Sequence, residues 1–169
     1  ICDTHVNPGP TADQIAGFSV LAADTVRFFG IEPKIAILSH SNFGSSEHDN
    51  AKKMREVVHL IRKLDQGLEV DGEMHSDTAL SEELRNALVP DSSLTGRANL
   101  LVMPSLDAAN ITYNSLRMLA DGVSVGPMLI GMNQPAHILQ ENVTARGIMN
   151  MTALAVAEAQ SIEDRLLAH

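Results

Sequence analysis

The sequence predicts an α/β fold with a largely parallel sheet, and two observations carry this. Short apolar runs of strand length alternate with longer segments of helical periodicity along the whole chain. The clearest strand candidate, residues 34–39 (KIAILS), is almost continuously apolar rather than alternating, as expected of a parallel strand covered on both faces.

The elements follow in order. ICDTHV at the start reads as the end of a strand, and NPGPT as a turn. Thr11 and Gln14 have the spacing of a capping box, so a helix should begin there. Ile15, Phe18, Leu21, Ala22, Thr25, Phe28 and Phe29 then recur at helical spacing until Gly30 and Pro33 close the segment. After the 34–39 strand comes a Gly/Ser loop, then a helix with Met54, Val57, Val58, Ile61 and Leu64 along one stripe. GLEVDGEM predicts a strand and residues 77–88 a single helix. NLLVMP predicts another strand, and a helix is expected over residues 108–119. VSVGPMLIG and PAHIL read as short extended pieces, and residues 144–169 as a long closing helix rich in Ala and Met.

Composition narrows the function. Of 169 residues, 44% are hydrophobic, enough for a sizeable core; only 3% are aromatic, so that core must be aliphatic. The net charge is -9 with no basic run, which argues against nucleic acid and anionic membranes as partners. No apolar run is long enough to cross a bilayer, and no secretory signal pattern opens the chain. The lone Cys2 excludes an internal disulfide and fits the cytoplasm. A chain that lacks an initiator Met and opens at a strand end is expected to be part of a longer protein.

In a parallel sheet the ligand site lies beyond the carboxyl ends of the strands. That directs attention to residues 3–7, 39–46, 71–77 and 104–110. SHSNFGSSE offers hydroxyls and an amide from Ser39, Ser41, Asn42, Ser45 and Ser46, a tight turn at Gly44, and the free N–H groups of a helix start. Those groups suit a phosphate or pyrophosphate. No Walker or Gly-x-Gly-x-x-Gly pattern is present, and from the loop alone an ordinary capped turn is the preferred reading over anion binding. Asp71, Glu73, His75 and Asp77 alternate and on a regular strand would share one face, like a metal site. A strand advances about 6.5 Å every two residues, however, so four such groups cannot reach one ion. The reading preferred for them is a polar cleft edge with a cap at Asp77. His5, His40, His48, His59, His75, His137 and His169 show no zinc spacing, and no Gly-x-Ser-x-Gly elbow supports a serine nucleophile. Cys2 reads as a small buried hydrophobe rather than a nucleophile. The Met residues crowding the C-terminal half read as gap fillers, and Tyr113, the only tyrosine, as a packing residue or a cap over a ligand.

Several collinear segments resemble the phosphotransacetylase (phosphate acetyltransferase) family: DTHVNPGPTADQIA, FGIEPKIAILSHSNFGSS, VDGEMHSDTAL, TGRANLLVMPSLDAANITYN, VSVGPMLIGMNQP and the last helix. The resemblance implies a three-layer α/β/α architecture like that of the isocitrate and isopropylmalate dehydrogenases. It also implies that residues 1–169 form the second part of the family domain with its closing helix, the first part lying outside the chain. Active members carry KPVNDLSRG and then an Asp. Their Ser and Arg act in acetyl transfer between coenzyme A and phosphate, and the Asp serves as base for the thiol. The corresponding stretch here is QPAHILQENVTARG. Counted from Pro135, Gln140 stands for the Ser, Glu141 for the Arg and Gly147 for the Asp, and Gln134 replaces the Lys. Ala109 and Asn114 depart from the family pattern around the Tyr. Glutamine lacks the hydroxyl geometry, Glu141 repels a phosphate, and glycine cannot accept a proton. No catalytic residue is therefore assigned.

VNPGPTADQIA, LSHSNFGSS and above all RGIMNMTALAVAEAQ resemble one branch, the phosphotransacetylase-like domain at the C-terminus of large bacterial NADP-dependent malic enzymes. That branch implies a regulatory, oligomerising domain that senses acetyl-CoA or a related acyl-CoA. NADP and a divalent Mg or Mn ion would be held by the malic-enzyme domain, outside this chain. Ligand contacts implied by the resemblance are Ser39, Ser41, Ser45, Ser46, Tyr113, Arg117 and Arg146, and no metal ligand is expected. Two alternatives stay open: an active phosphate acetyltransferase with cations displaced to Arg97, Arg117 and Arg146, and a structural oligomerisation module with no ligand.

Overall fold

The computed structural model describes residues 1–120, 124–141 and 143–167. It divides into two compact units, Ile1–Leu116 and Arg117–His169.

The first unit is built on three parallel strands, β1 (Lys34–Leu38), β2 (Glu69–Met74) and β3 (Leu100–Val102), in the order β2-β1-β3. Beyond β3, Cys2 makes a single parallel bridge to Val102: its N–H donates to the Leu101 carbonyl and its carbonyl accepts from Met103 N–H. The predicted opening strand is thus reduced to one rung. Central β1 is buried from Ile35 to Leu38, as its unbroken apolar run requires. Ala36 and Leu38 join one core cluster with Met74, Ala79, Leu94, Met103 and Ala109. Ile35 and Ile37 alternate to the opposite face. Helices α1 (Ala12–Phe28) and α2 (Asp49–Leu64) pack on each other and on the sheet, and α3 (Ser76–Leu80) packs on β1.

The capping box forms as expected: Gln14 N–H donates to Thr11 Oγ1, and Thr11 N–H to Gln14 Oε1. The buried side of α1 is the expected one in part: Ile15 and Ala22 of the expected stripe are buried and Phe18, Thr25 and Phe28 half-buried. Ile15, Ala16, Ser19, Ala22 and Ala23 face inward, while Leu21 and Phe29 are 43% and 47% exposed. Small residues let α1 approach its neighbour closely, and that gain outweighs burying the larger side chains. The α2 stripe is buried at Met54, Val57, Val58 and Ile61, but Leu64 is exposed at its end.

The single helix expected over residues 77–88 is two helices, α3 and α4 (Glu82–Leu88), broken at Ser81. Ser81 Oγ accepts Leu84 N–H and so starts α4 afresh. Fully buried Arg85 fixes the break, donating to the carbonyls of Thr78, Ala79, Leu94 and Gly96. Helix α5 (Leu106–Leu119) belongs to the first unit through Leu116.

In the second unit no strand is present among the described residues 124–141, so the two extended pieces expected there do not join a sheet. His137 instead ties this segment down. Its Nδ1 accepts Leu129 N–H at 3.3 Å, and its Nε2 lies 2.9 Å from Glu158 Oε2 of helix α6 (Ala145–Leu167). With Nδ1 accepting, Nε2 carries the proton that Glu158 receives. Met151 and Leu154 mark the buried side of α6. His169, at the end of the predicted closing helix, and Asp121, Gly122 and Val123 lie outside the described residues.

Candidate functional site

The carboxyl ends of β1 and β2 meet in the loop that the sequence singles out. Between Ile37 and Leu38 the β1–β2 register shifts: Ile37 faces Gly72 and Leu38 faces Met74, leaving Glu73 as the extra residue. A bulge of this kind re-aims a side chain. Here it places Glu73, fully buried, beneath the 39–46 loop. Asp71, Glu73, His75 and Asp77 do not converge, as their spacing along the strand requires. Asp71 accepts from Ser92 Oγ, Ser93 N–H and Arg62, while Asp77 accepts Thr78 N–H. His75 starts α3. Among the described residues no group of three or more His, Cys, Asp or Glu is placed to hold a metal.

Glu73 organises the loop. Its Oε1 accepts Ser41 Oγ–H at 2.7 Å and Gly44 N–H at 3.0 Å, and its carbonyl accepts Phe43 N–H at 2.7 Å. Its Oε2 lies 3.3 Å from Arg55 Nε, and Arg55 also donates to the Ser46 carbonyl at 2.9 Å. A hydroxyl and a backbone N–H that could cradle an external anion are thus already held by a carboxylate of the chain. Gly44, at φ 88°, makes the turn; a Cβ there would meet the Arg55 guanidinium at 3.3 Å.

The serines therefore differ. Ser41 is fully buried and turned inward; its Oγ also accepts Ser46 N–H. Ser45 is exposed, and its Oγ accepts Asn42 N–H and lies 3.2 Å from Ser41 Oγ. Ser46 is half-buried, 3.2 Å from His40 Nε2. Ser39 is half-buried and its N–H donates to the Met74 carbonyl. Asn42 bridges to His75 N–H. On the outer face of α2 a shallow depression is lined by Lys52, Arg55, Glu56 and His59. Glu47 pairs with Lys52 at 3.2 Å, so the cations there are offset.

The other two loops at this end of the sheet are joined by Lys53, whose Nζ donates to the carbonyls of Pro10 and Pro104. Burial lowers the pKa of this amine. Asp3 accepts the N–H groups of His5, Val6 and Asn7 and the Asn7 side-chain amide. Burial pushes its carboxyl upward, but those bonds outweigh it and leave the pKa below the usual 3.8. Asn110 donates to the Thr4 carbonyl, and Tyr113 stands edge-on to His5 with ring centres 5.9 Å apart. Burial raises the Cys2 thiol to about 12, so it is a poor nucleophile. Arg97 is exposed at the opposite end of the sheet, where β3 begins.

In the second unit Arg117, Arg146, Gln134, Gln140 and Glu141 are exposed. Gly147 sits in the first turn of α6, and its N–H donates to Thr144 Oγ1. A Cβ at Gly147 would lie 2.8 Å from Val143 Cγ2 and 3.4 Å from Thr144 Oγ1. The pattern of the sequence pointed to the loop serines, but nothing in it marked Glu73 as the loop's anchor or Arg55 as its partner. The available signal was a strand pattern containing a carboxylate, with an Arg on the preceding helix, α2.

Comparison with known proteins fits this arrangement. The family model described as phosphate acetyl/butaryl transferase matches residues 1–156. The chain is 54% identical to the NADP-dependent malic enzyme of Salmonella typhimurium over 162 residues, which is 95% of this chain but 21% of that protein. It is 40% identical to the phosphate acetyltransferase of Paracoccus denitrificans over 89% of this chain and 48% of that one. A phosphotransacetylase of Streptococcus pyogenes superposes with a TM-score of 0.87 at 35% identity, covering 95% of this chain and 48% of that one. The chain thus spans about half the length of these acetyltransferases and about a fifth of the malic enzyme. It belongs to the phosphate acetyl/butaryl transferase family.

Proposed function

We propose that this member of the family is a non-catalytic domain of an NADP-dependent malic enzyme. In this reading it regulates the decarboxylation of malate to pyruvate, helps hold the oligomer together and responds to acetyl-CoA or a related acyl-CoA. The observation that carries the reading is the packing at Gly147. The resembled transferases place their proton-accepting Asp there. In this chain a Cβ would already meet Val143 Cγ2 at 2.8 Å, so an acidic side chain does not fit unless Val143 moves. Exposed Glu141, standing where the transferases have Arg, adds charge of the wrong sign for phosphate.

The preference for the malic-enzyme context rests on similarity: 54% identity to the Salmonella malic enzyme against 40% to the Paracoccus acetyltransferase. NADP and a Mg or Mn ion belong, in this reading, to the malic-enzyme domain of the same polypeptide. The effector contacts proposed in the first unit are the hydroxyls of Ser39, Ser45 and Ser46 and the ring of Tyr113. Ser41 contributes by holding the loop on Glu73. Arg117 and Arg146 remain candidates on the resemblance alone. Regulation then means that the effector binds one state of the malic enzyme better than the other. An active acetyltransferase using Arg97 is disfavoured by its position at the far end of the sheet.

The test is paired. The full-length protein is expected to form no acetyl phosphate from acetyl-CoA and phosphate, yet to melt at a higher temperature with acetyl-CoA present. Turnover would make the domain an enzyme. An unchanged melting temperature would leave the structural module.

A further inference from the structure

The contacts proposed for the effector fall into two groups. Ser39, Ser45 and Ser46 stand on the loop after β1, which runs into α2. Tyr113 stands on α5, behind the loop that follows β3. A ligand that touches both groups binds best when their spacing is fixed beforehand, because any freedom between them is lost on binding.

Hydrogen bonds tie the four loops at this end of the sheet into two pairs. Asn110 Nδ2 donates to the Thr4 carbonyl at 3.0 Å, joining residues 3–10 to 104–110. Asn42 Oδ1 accepts His75 N–H at 2.8 Å, joining residues 39–46 to 71–77. Helix α2 holds both pairs. Lys53 Nζ donates to the carbonyls of Pro10 at 3.2 Å and Pro104 at 3.0 Å. Arg55 donates to the Ser46 carbonyl at 2.9 Å, and its Nε lies 3.3 Å from Glu73 Oε2. Residues two apart on a helix are turned by about 200°, so Lys53 and Arg55 leave α2 on opposite sides. A single turn of α2 thus grips all four loops.

Of the two holds, Lys53 is the one that stability alone does not explain. It is half-buried, and burial lowers the pKa of its amine. No carboxylate lies within ion-pair reach of it among the described residues. An apolar side chain of the same length would sit there without the cost of desolvating a charge. What the amine adds is direction: one atom whose donors reach two loops at once.

We propose that Lys53 is a positioning residue for the effector: it holds the loop leading to Tyr113 at a fixed distance from the serines ahead of α2. This deepens the acyl-CoA reading given above and rests on it.

The test uses the full-length protein with acetyl-CoA as the probe, its affinity read by calorimetric titration. Lys53→Met keeps the length and removes the donors, and is expected to weaken binding about tenfold. Lys53→Arg can still donate to both carbonyls and is expected to regain most of that loss. A second measurement needs no variant. The wild-type protein is labelled with propionic anhydride and followed lysine by lysine by mass spectrometry. Bound acetyl-CoA is expected to slow labelling of Lys53 at least about fivefold, because it favours the clipped arrangement, and to leave exposed Lys52 and Lys63 as before. A Lys53→Met protein that binds as tightly as wild type, or a Lys53→Arg protein no better than Lys53→Met, would overturn the proposal. So would labelling of Lys53 that ignores acetyl-CoA, and this arm decides alone if Lys53→Met does not fold. A wild-type protein that binds no acetyl-CoA overturns the effector reading itself, and the role of Lys53 with it.

Discussion

The loop after β1 and the stretch that leads into α6 are held in different ways. Around the first, the fully buried Glu73 carboxylate gathers a hydroxyl, the Gly44 N–H and a guanidinium within 3.3 Å, and its main-chain carbonyl accepts the Phe43 N–H. Along the second, the bonds from His137 to Leu129 N–H and to Glu158 tie residues 124–141 to α6, and most of the segment is exposed. The difference separates two demands on one ancestral fold. A buried polar network is costly to change, because any member removed leaves its partners unsatisfied in the interior. An exposed stretch carries no such penalty: a Cβ added at Gly147 would meet the Val143 side chain at 2.8 Å, not a buried polar network.

The sharpest way to break that comparison is at the bulge. Gly72 lies at φ 142°, and a Cβ there would sit 2.6 Å from the Ile37 carbonyl oxygen. Gly72→Ala should destabilise the domain by on the order of 4 kcal/mol, read from the denaturant midpoint, because both strain and overlap oppose it. Next comes Glu73→Ala, expected to cost about 3 kcal/mol by leaving Arg55 and the loop donors without their acceptor. Glu73→Gln keeps one acceptor and should cost clearly less. In the second unit Gly147→Asp should cost only about 1–2 kcal/mol, since Val143 can shift at an exposed helix start. It should also yield no acetyl phosphate, alone or combined with Val143→Ala. The smallest effect is expected from His137→Ala: about 1 kcal/mol, with faster amide exchange at Leu129. If His137→Ala proved as damaging as Glu73→Ala, the two regions would be equally anchored and the contrast would fail.

Much of the frame was legible in the residues. The capping box at Thr11 and Gln14, the covered strand at Ile35–Leu38 and the stripe on α2 all express short-range rules. What escaped depends on distant contacts. The bulge that frees Glu73 is set by pairing with β1, and no local pattern announces it. The break at Ser81 looks like a tolerable helix interior until Arg85 is seen tied to carbonyls of α3 and of residues 94–96. On α1 only Leu21 and Phe29 depart from the expected stripe, their places inside being taken by the smaller Ala16, Ser19 and Ala23. The extended pieces around 125–139 have strand-like composition but find no strand to pair with among the described residues. For the site, the serine loop was recognisable from Gly44 and its hydroxyls. The inward turn of Ser41 was not, since it follows from the position of Glu73.

The central claim is that this domain regulates a malic enzyme without doing chemistry of its own. Malate-dependent NADP reduction tests it most directly, measured with and without acetyl-CoA on the full-length protein and on a truncated form lacking residues 1–169. The account predicts that acetyl-CoA changes the rate of the full-length protein and leaves the truncated form, if it retains activity, unaffected. An acetyl-CoA effect that survives removal of the domain, or a full-length rate that ignores acetyl-CoA, would contradict it.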